Sequence, residues 1–287
     1  RNRMACLSLT AVKQPLASHR ESASMSKNTL YPTSWENTVK VVNRLIPSQI
    51  DGKPFLGEGV KRAELDKRDT AFSYGDRFDE KYDPVRAIRK GKFKYVRNYQ
   101  PFNVAGLQNN YRYRMLAFEE WRDLNEEGKL NGNQEQFFQA RPMEALFDVE
   151  ADPFEMKNLS RDAEYRETLI SLRRELKKKV RSMPDLSFFP EPYLLAEAVE
   201  GPVDFGQKNK ERIVKLVNTA DISLMGYKNA EEKIADALAD EDPWVRYWGL
   251  IACSSFGSKA SGFVSKAREI AAGDSENLVR ARAAEFL

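Results

Sequence analysis

The chain has 287 residues, and its 46 Lys plus Arg against 43 Asp plus Glu leave a formal net charge of +3. So small an imbalance gives no long-range field to draw in nucleic acid or an anionic membrane, and no apolar run approaches the roughly 18 residues that a membrane span needs. Two cysteines, Cys6 and Cys253, and one histidine, His19, exclude a disulfide framework, a zinc site and any mechanism that needs several histidines from this chain.

Residues 1–45 mix Ser, Asn, Lys and Thr with scattered apolar residues and hold no sustained period, so they read as irregular and stay unassigned. From Ile46 to Gly57, Pro and Gly punctuate a structured connector. Thr70-Ala71-Phe72-Ser73-Tyr74 reads as a strand. Val85 to Arg89 and Lys92 to Arg97 alternate apolar with basic residues, and Lys90-Gly91 between them reads as a hairpin turn. The apolar face is expected at Val85, Ala87, Ile88, Phe93 and Tyr95. Arg86, Arg89, Lys90, Lys92, Lys94 and Arg97 are then expected on the solvated outer face of an antiparallel sheet. Acidic neighbours Asp76, Asp79, Glu80 and Asp83 argue against a nucleic-acid surface there.

A helix is expected from Asn109 to Leu124, with Tyr113, Leu116, Ala117, Glu120, Trp121 and Leu124 on one stripe and Gly128 past its end. Glu144 to Val149 reads as a short strand followed by a turn at Asp152-Pro153. Asp162 to Arg181 is a strongly amphipathic helix with Tyr165, Leu169, Leu172, Leu176 and Val180 on its apolar stripe, ended by Met183-Pro184. Phe189-Pro190-Glu191-Pro192 is expected to be extended. After Gly206 only helical stripes remain. Asp242-Pro243-Trp244-Val245-Arg246 recurs as Glu276-Asn277-Leu278-Val279-Arg280 at an offset of about 34 residues, within the range of helix-pair repeats. That tail, 205–287, resembles HEAT-type repeats, an α-solenoid able to carry a protein partner.

Residues with reactive side chains lack the neighbours that activate them. Cys253 lies on the apolar side of a helix, and neither cysteine has a local base to lower its pKa. The densest charge lies in Asp76 to Asp83, expected as a loop between two strands. There Arg77 suits a bidentate grip on sulfate or phosphate, while Asp76, Asp79 and Glu80 suit hydrogen bonds from hydroxyls. These four are the candidate substrate-binding residues, and an exposed ion-pair loop of this kind implies that loss of Arg77 leaves the melting temperature unchanged.

Gly52 to Gly57, Arg77 to Arg89, Lys92 to Asn98 and, most specifically, Glu144-Ala145-Leu146-Phe147-Asp148-Val149-Glu150-Ala151-Asp152-Pro153-Phe154-Glu155-Met156-Lys157-Asn158-Leu159 resemble the C-terminal part of sulfatases, in the heparan N-sulfatase-like bacterial branch. The likeness runs over about residues 46–192. It implies an α+β fold: the C-terminal antiparallel-sheet subdomain (46–200) of an alkaline-phosphatase-like sulfatase, followed by the all-α HEAT-like tail. It further implies hydrolysis of sulfate esters or sulfamates on a sulfated glycan, by a formylglycine made from a C/S-x-P-S-R motif and a bound calcium, and a periplasmic or secreted location. Here Cys6 is followed by Leu7-Ser8-Leu9-Thr10 and Cys253 by Ser254-Ser255-Phe256-Gly257. The chain is therefore expected to be a fragment without its catalytic domain, holding no catalytic residue, metal site or cofactor of its own and inactive alone. The rival expectation is a helical-repeat scaffold without catalysis, and neither reading involves nucleic acid or a membrane.

Overall fold

The computed structural model describes residues 55, 60–78, 81–107 and 109–287. After a single-turn helix α1 (Arg62–Leu65), four antiparallel strands follow in the order β1 (Thr70–Phe78), β2 (Lys81–Lys90), β3 (Phe93–Asn98) and β4 (Glu144–Asp148). Gly91, at φ 56°, makes the β2–β3 turn in the left-handed region that favours glycine. Phe72, Ile88, Tyr95 and Leu146 stand opposite one another across the sheet, and the last three are at most 1% exposed. Helix α4 (Arg166–Ser182) lays Leu169, Leu172, Leu176 and Val180 against this row, the stripe expected from its period. A 3₁₀ turn capped by Asp162 starts it, and extended backbone at Met183 ahead of Pro184 ends it.

The described residues of the charged run, 76–78 and 81–83, lie in strands and not in a loop, because β1 continues through Phe78 and β2 begins at Lys81. The register slips where Gly75 faces Val85 but Arg77 faces Tyr82. Pro84, which has no N–H for the ladder, falls in that slip, as expected of proline at a bulge. A second correction concerns the sheet's basic residues. Arg86 and Arg97 are each 2% exposed and not solvated, because they pair on the same face as Ile88 and Tyr95, the face that α4 and the chain after it cover.

A third correction lies between β3 and β4. The expected helix from Asn109 is a 3₁₀ turn (Arg112–Arg114), extended backbone at Met115, and then α2 (Leu116–Glu126). Leu116 is 80% exposed while Phe118 is buried. Phe118 and Trp121 pack instead on Phe137 and Phe138, next to the capped turn α3 (Gly132–Glu135).

Beyond α4, the segment expected to be extended contains a 3₁₀ turn (Leu186–Phe188) and α5 (Glu191–Glu197), with Pro190 as its N-cap and Pro192 in its first turn. Proline breaks a helix from inside but starts one readily, since the first-turn N–H groups have no partner to lose. Helix α6 (Pro202–Lys208) starts the same way. Then come α7 (Lys210–Ala220), α8 (Tyr227–Leu238), α9 (Pro243–Phe256), α10 (Val264–Gly273) and α11 (Asn277–Phe286). Helix α9 packs between α7 and α11, while α8 and α10 pack as a second layer on α9 and α11. Trp244, Val245, Trp248, Leu250 and Ile251, all on α9, are at most 2% exposed. One cluster of buried apolar residues extends from Ile88 in the sheet to Ala283 in α11. Arg97 crosses it, donating from Nη2 to the Ala220 carbonyl (3.0 Å) and to Ser223 Oγ (2.7 Å).

Candidate functional site

The end of the β1–β2 hairpin is held by the linker that joins α4 to α5. Arg86 donates from Nε (2.9 Å) and Nη2 (3.0 Å) to the two carboxylate oxygens of Asp185, the bidentate geometry that a planar guanidinium favours. Burial pulls the Arg86 pKa down, but the facing Asp185 charge outweighs it and leaves the group firmly cationic. The Tyr82 hydroxyl donates to the Ser187 carbonyl at 2.6 Å, and removal from water pushes its pKa well above the usual phenol range. Arg77 donates from Nη2 to the Phe189 carbonyl (2.8 Å) and from Nη1 to Asp76 (3.1 Å), with Nε 3.7 Å from Glu191 and the guanidinium stacked 4.8 Å from the Tyr82 ring centroid.

The guanidinium expected to grip an oxyanion is thus occupied by protein partners. Asp76 and Arg77 are brought together, each about one-fifth exposed, while Asp79 and Glu80 lie outside the described residues. Asp83 is turned inward, 6% exposed and paired with Arg141. Residues 185–189, which no local sequence pattern marks as a partner of the hairpin, supply the acceptors. A lone Asp before a helical turn gives no sign that it pairs with an arginine on a distant strand.

The Glu144–Leu159 signature forms a knot of side-chain to backbone hydrogen bonds. Asp148 accepts from the N–H groups of Glu150 (3.2 Å) and Ala151 (3.1 Å) and pairs with Lys92 (2.8 Å). Asp152 accepts from the Lys157 N–H at 2.7 Å. Asn158 Oδ1 accepts from the N–H groups of Leu146 (3.0 Å) and Ser160 (2.9 Å), and Leu159 N–H returns to the Leu146 carbonyl (2.8 Å), so the outer edge of β4 is satisfied at that point. Hydrogen bonds hold both carboxyl groups below the usual 3.8, that from Lys92 foremost at Asp148 and that from the Lys157 backbone foremost at Asp152. Asp148, Asp152, Asn158 and Leu159 each have a structural partner, which accounts for their spacing without any reacting group.

Among the described residues there is no group of three or more His, Cys, Asp or Glu arranged to hold a metal ion, and no helix is long and apolar enough to cross a membrane. Cys253 is fully buried in α9, and desolvation pushes its thiol up to about 12, the reverse of an activated nucleophile. Cys6 and His19 lie outside the described residues.

The sequence that carries these motifs is similar to the C-terminal portion of a sulfatase. The particular relative is an ulvan-active sulfatase from Formosa agariphila, 38% identical over 153 residues that make up 53% of this chain and 25% of that protein. The chain therefore spans about a quarter of the length of the curated relative it matches. No protein-family model matches it. A solved structure of a presumed sulfatase from Bacteroides thetaiotaomicron aligns with 50% of this chain and 23% of its own, at 16% identity and a TM-score of 0.30; a likeness that weak adds nothing to the sequence match.

Proposed function

We propose that this chain is the C-terminal part of a larger sulfatase that removes sulfate from a glycan, and that it contributes structure and no reacting group. What carries the reading is the 38% identity over 153 residues to one quarter of a sulfatase. That relative is named for activity on ulvan, which favours a polysaccharide here as well. The net reaction adds water across a sulfur–oxygen or sulfur–nitrogen bond and releases sulfate with an alcohol or amine. The formylglycine and calcium that such a hydrolase implies do not fit the described residues, which hold no group of acidic side chains arranged for a metal ion and only a buried cysteine, Cys253. Both belong, in this reading, to a catalytic domain outside the 287 residues.

The helices from α7 onward are read as HEAT-type pairs that brace that domain and offer a surface to a protein partner. One observation favours this: Arg212 binds both carboxylate oxygens of Asp242 at the start of α9, and Arg246 binds those of Asp274 just before α11. The same arginine-to-next-repeat contact thus recurs at an offset of about 34 residues.

The test is expression of the chain with and without the coding sequence upstream of it, followed by sulfate release from a sulfated polysaccharide. Release by a longer protein that contains a C/S-x-P-S-R motif, and none by the 287-residue chain, is expected. Release by the 287 residues alone, or a longer frame without that motif, overturns the proposal.

A further inference from the structure

A cleft of about 380 Å³ opens beside the C-terminal end of α9, where the 3₁₀ segment Gly257–Phe263 turns towards α11. Its size falls within the range of about 300–1,000 Å³ typical of small-molecule sites. Arg282 lines it, with only 7% of its surface exposed. Unlike Arg86, Arg212 and Arg246, each of which faces both oxygens of an aspartate, Arg282 is incompletely matched. Its Nη2 donates to Ser254 Oγ (2.6 Å), its Nη1 to Glu285 (2.5 Å), and its Nε–H meets no acceptor. Glu285, the only carboxylate on it among the described residues, is 63% exposed and reaches in from the rim. Burial accordingly pulls the guanidinium's pKa down, the sign of a cation short of negative charge.

The rest of the lining has the character of a sugar site. Ser258 and Ser261 stand exposed on the cleft wall, and no hydrogen bond joins either hydroxyl to another described side chain. Phe102 places its ring 4.9 Å from the Arg282 guanidinium, and Phe286 adds a second ring at the rim. An under-compensated guanidinium, free hydroxyls and aromatic surface together match a polyhydroxylated ring that carries an oxyanion.

We propose that this cleft binds an anionic sugar unit, with Arg282 holding a sulfate or carboxylate group in place of Glu285, and Ser258 and Ser261 holding ring hydroxyls. The oxyanion half stands on the geometry around Arg282; the sugar half rests on the reading of the parent protein as a glycan sulfatase. The site would tether the polymer on the helical tail.

Titration calorimetry or amide chemical-shift mapping on the 287-residue chain tests it, with glucose 6-sulfate, glucuronate, unmodified glucose and inorganic sulfate as probes. Saturable millimolar binding of at least one anionic sugar is expected, with glucose weaker by about tenfold or more, the factor that a charge-assisted hydrogen bond carries. The two anionic probes separate a sulfate ester from a uronate. Arg282→Gln should weaken binding at least tenfold. Because Arg282 is buried and its replacement can unfold α11, the exposed pair S258A/S261A and the rim variant E285Q serve as independent checks. The serine pair should weaken binding about threefold, one neutral hydrogen bond's worth, and E285Q should tighten it by a similar factor. Absence of saturation with both anionic sugars, or binding indifferent to both surface variants, overturns the proposal. Inorganic sulfate binding as tightly as glucose 6-sulfate overturns its sugar half. None of these readouts uses sulfate release, so failure of this site and failure of the sulfatase reading are distinguished.

Discussion

Replacing Arg77 with alanine separates a structural anchor from an exposed substrate-gripping residue. The guanidinium makes one charge-assisted hydrogen bond to the Phe189 carbonyl at 2.8 Å, a contact class worth about 1.5–3 kcal/mol. Its pairs with Asp76 and Glu191 are partly in water and add about 0–1 kcal/mol. Stacking on Tyr82 adds about 0.5–1 kcal/mol. Together Arg77→Ala is expected to cost about 2–5 kcal/mol, or a fall in Tm of about 4–15 °C at the two to three degrees per kcal/mol of a chain this size. The assay is thermal unfolding by circular dichroism, with Arg77→Lys alongside. Lysine keeps the charge but loses the planar fork, and should recover no more than half of the loss. A Tm within about 1 °C of the parent for Arg77→Ala would refute the anchoring argument and restore the picture of a solvated turn.

Other substitutions probe other parts of the fold. Trp248→Phe deletes the indole N–H that donates to the Phe188 carbonyl at 2.8 Å, leaving a buried acceptor unpaired and a gap beside it; urea unfolding should show a loss of about 2–4 kcal/mol at an unchanged slope, and less than about 1 kcal/mol would contradict the packing. Asp148 and Asp152 titrate lower in the folded than in the unfolded chain. Their stabilisation is therefore present above the unfolded value near 3.8 and is lost as the pH falls through the folded values. The double variant D148N/D152N should flatten the dependence of stability on pH below about 4, and an acid limb of unchanged steepness would show that these hydrogen bonds do not survive in solution. Cys253, fully buried with its thiol pushed up to about 12, should resist iodoacetamide at pH 8 in the folded chain and react once urea unfolds it, as read by peptide mapping; rapid labelling in the folded state would mean that α9 opens readily.

Legibility from sequence followed the range of the interactions. The stripe of α4 and the alternation of β2 and β3 are local periodicities, and Ile88, Tyr95 and Leu169 sit in the core as their spacing implies. The tail's helices are legible for the same reason. Arg86 and Arg97 share the inward face with Ile88 and Tyr95, and their burial was not legible because a charge at such a position carries no sign of the partner that lets it be buried. What buries them is 185–189 and 220–223, about a hundred residues further along. The segment around Pro190 and Pro192 was misjudged because proline signals a boundary and not which side of it the helix lies on. At the candidate site the same limit applied: Arg77 and Asp76 were found by charge, but the partner that fixes Arg77 is a backbone carbonyl, which has no sequence signature at all.

The short linker from Asp185 to Phe189 receives Arg86, Tyr82 and Arg77 from the sheet on one side and the Trp248 indole from the helical tail on the other. Its few residues are counted in the stability of both halves, so neither half can open without stripping hydrogen bonds from the other. Sheet and tail should then melt in a single cooperative transition, with calorimetric and van't Hoff enthalpies in agreement. Amide protons in β3 and in α9 should likewise exchange at one common, global rate.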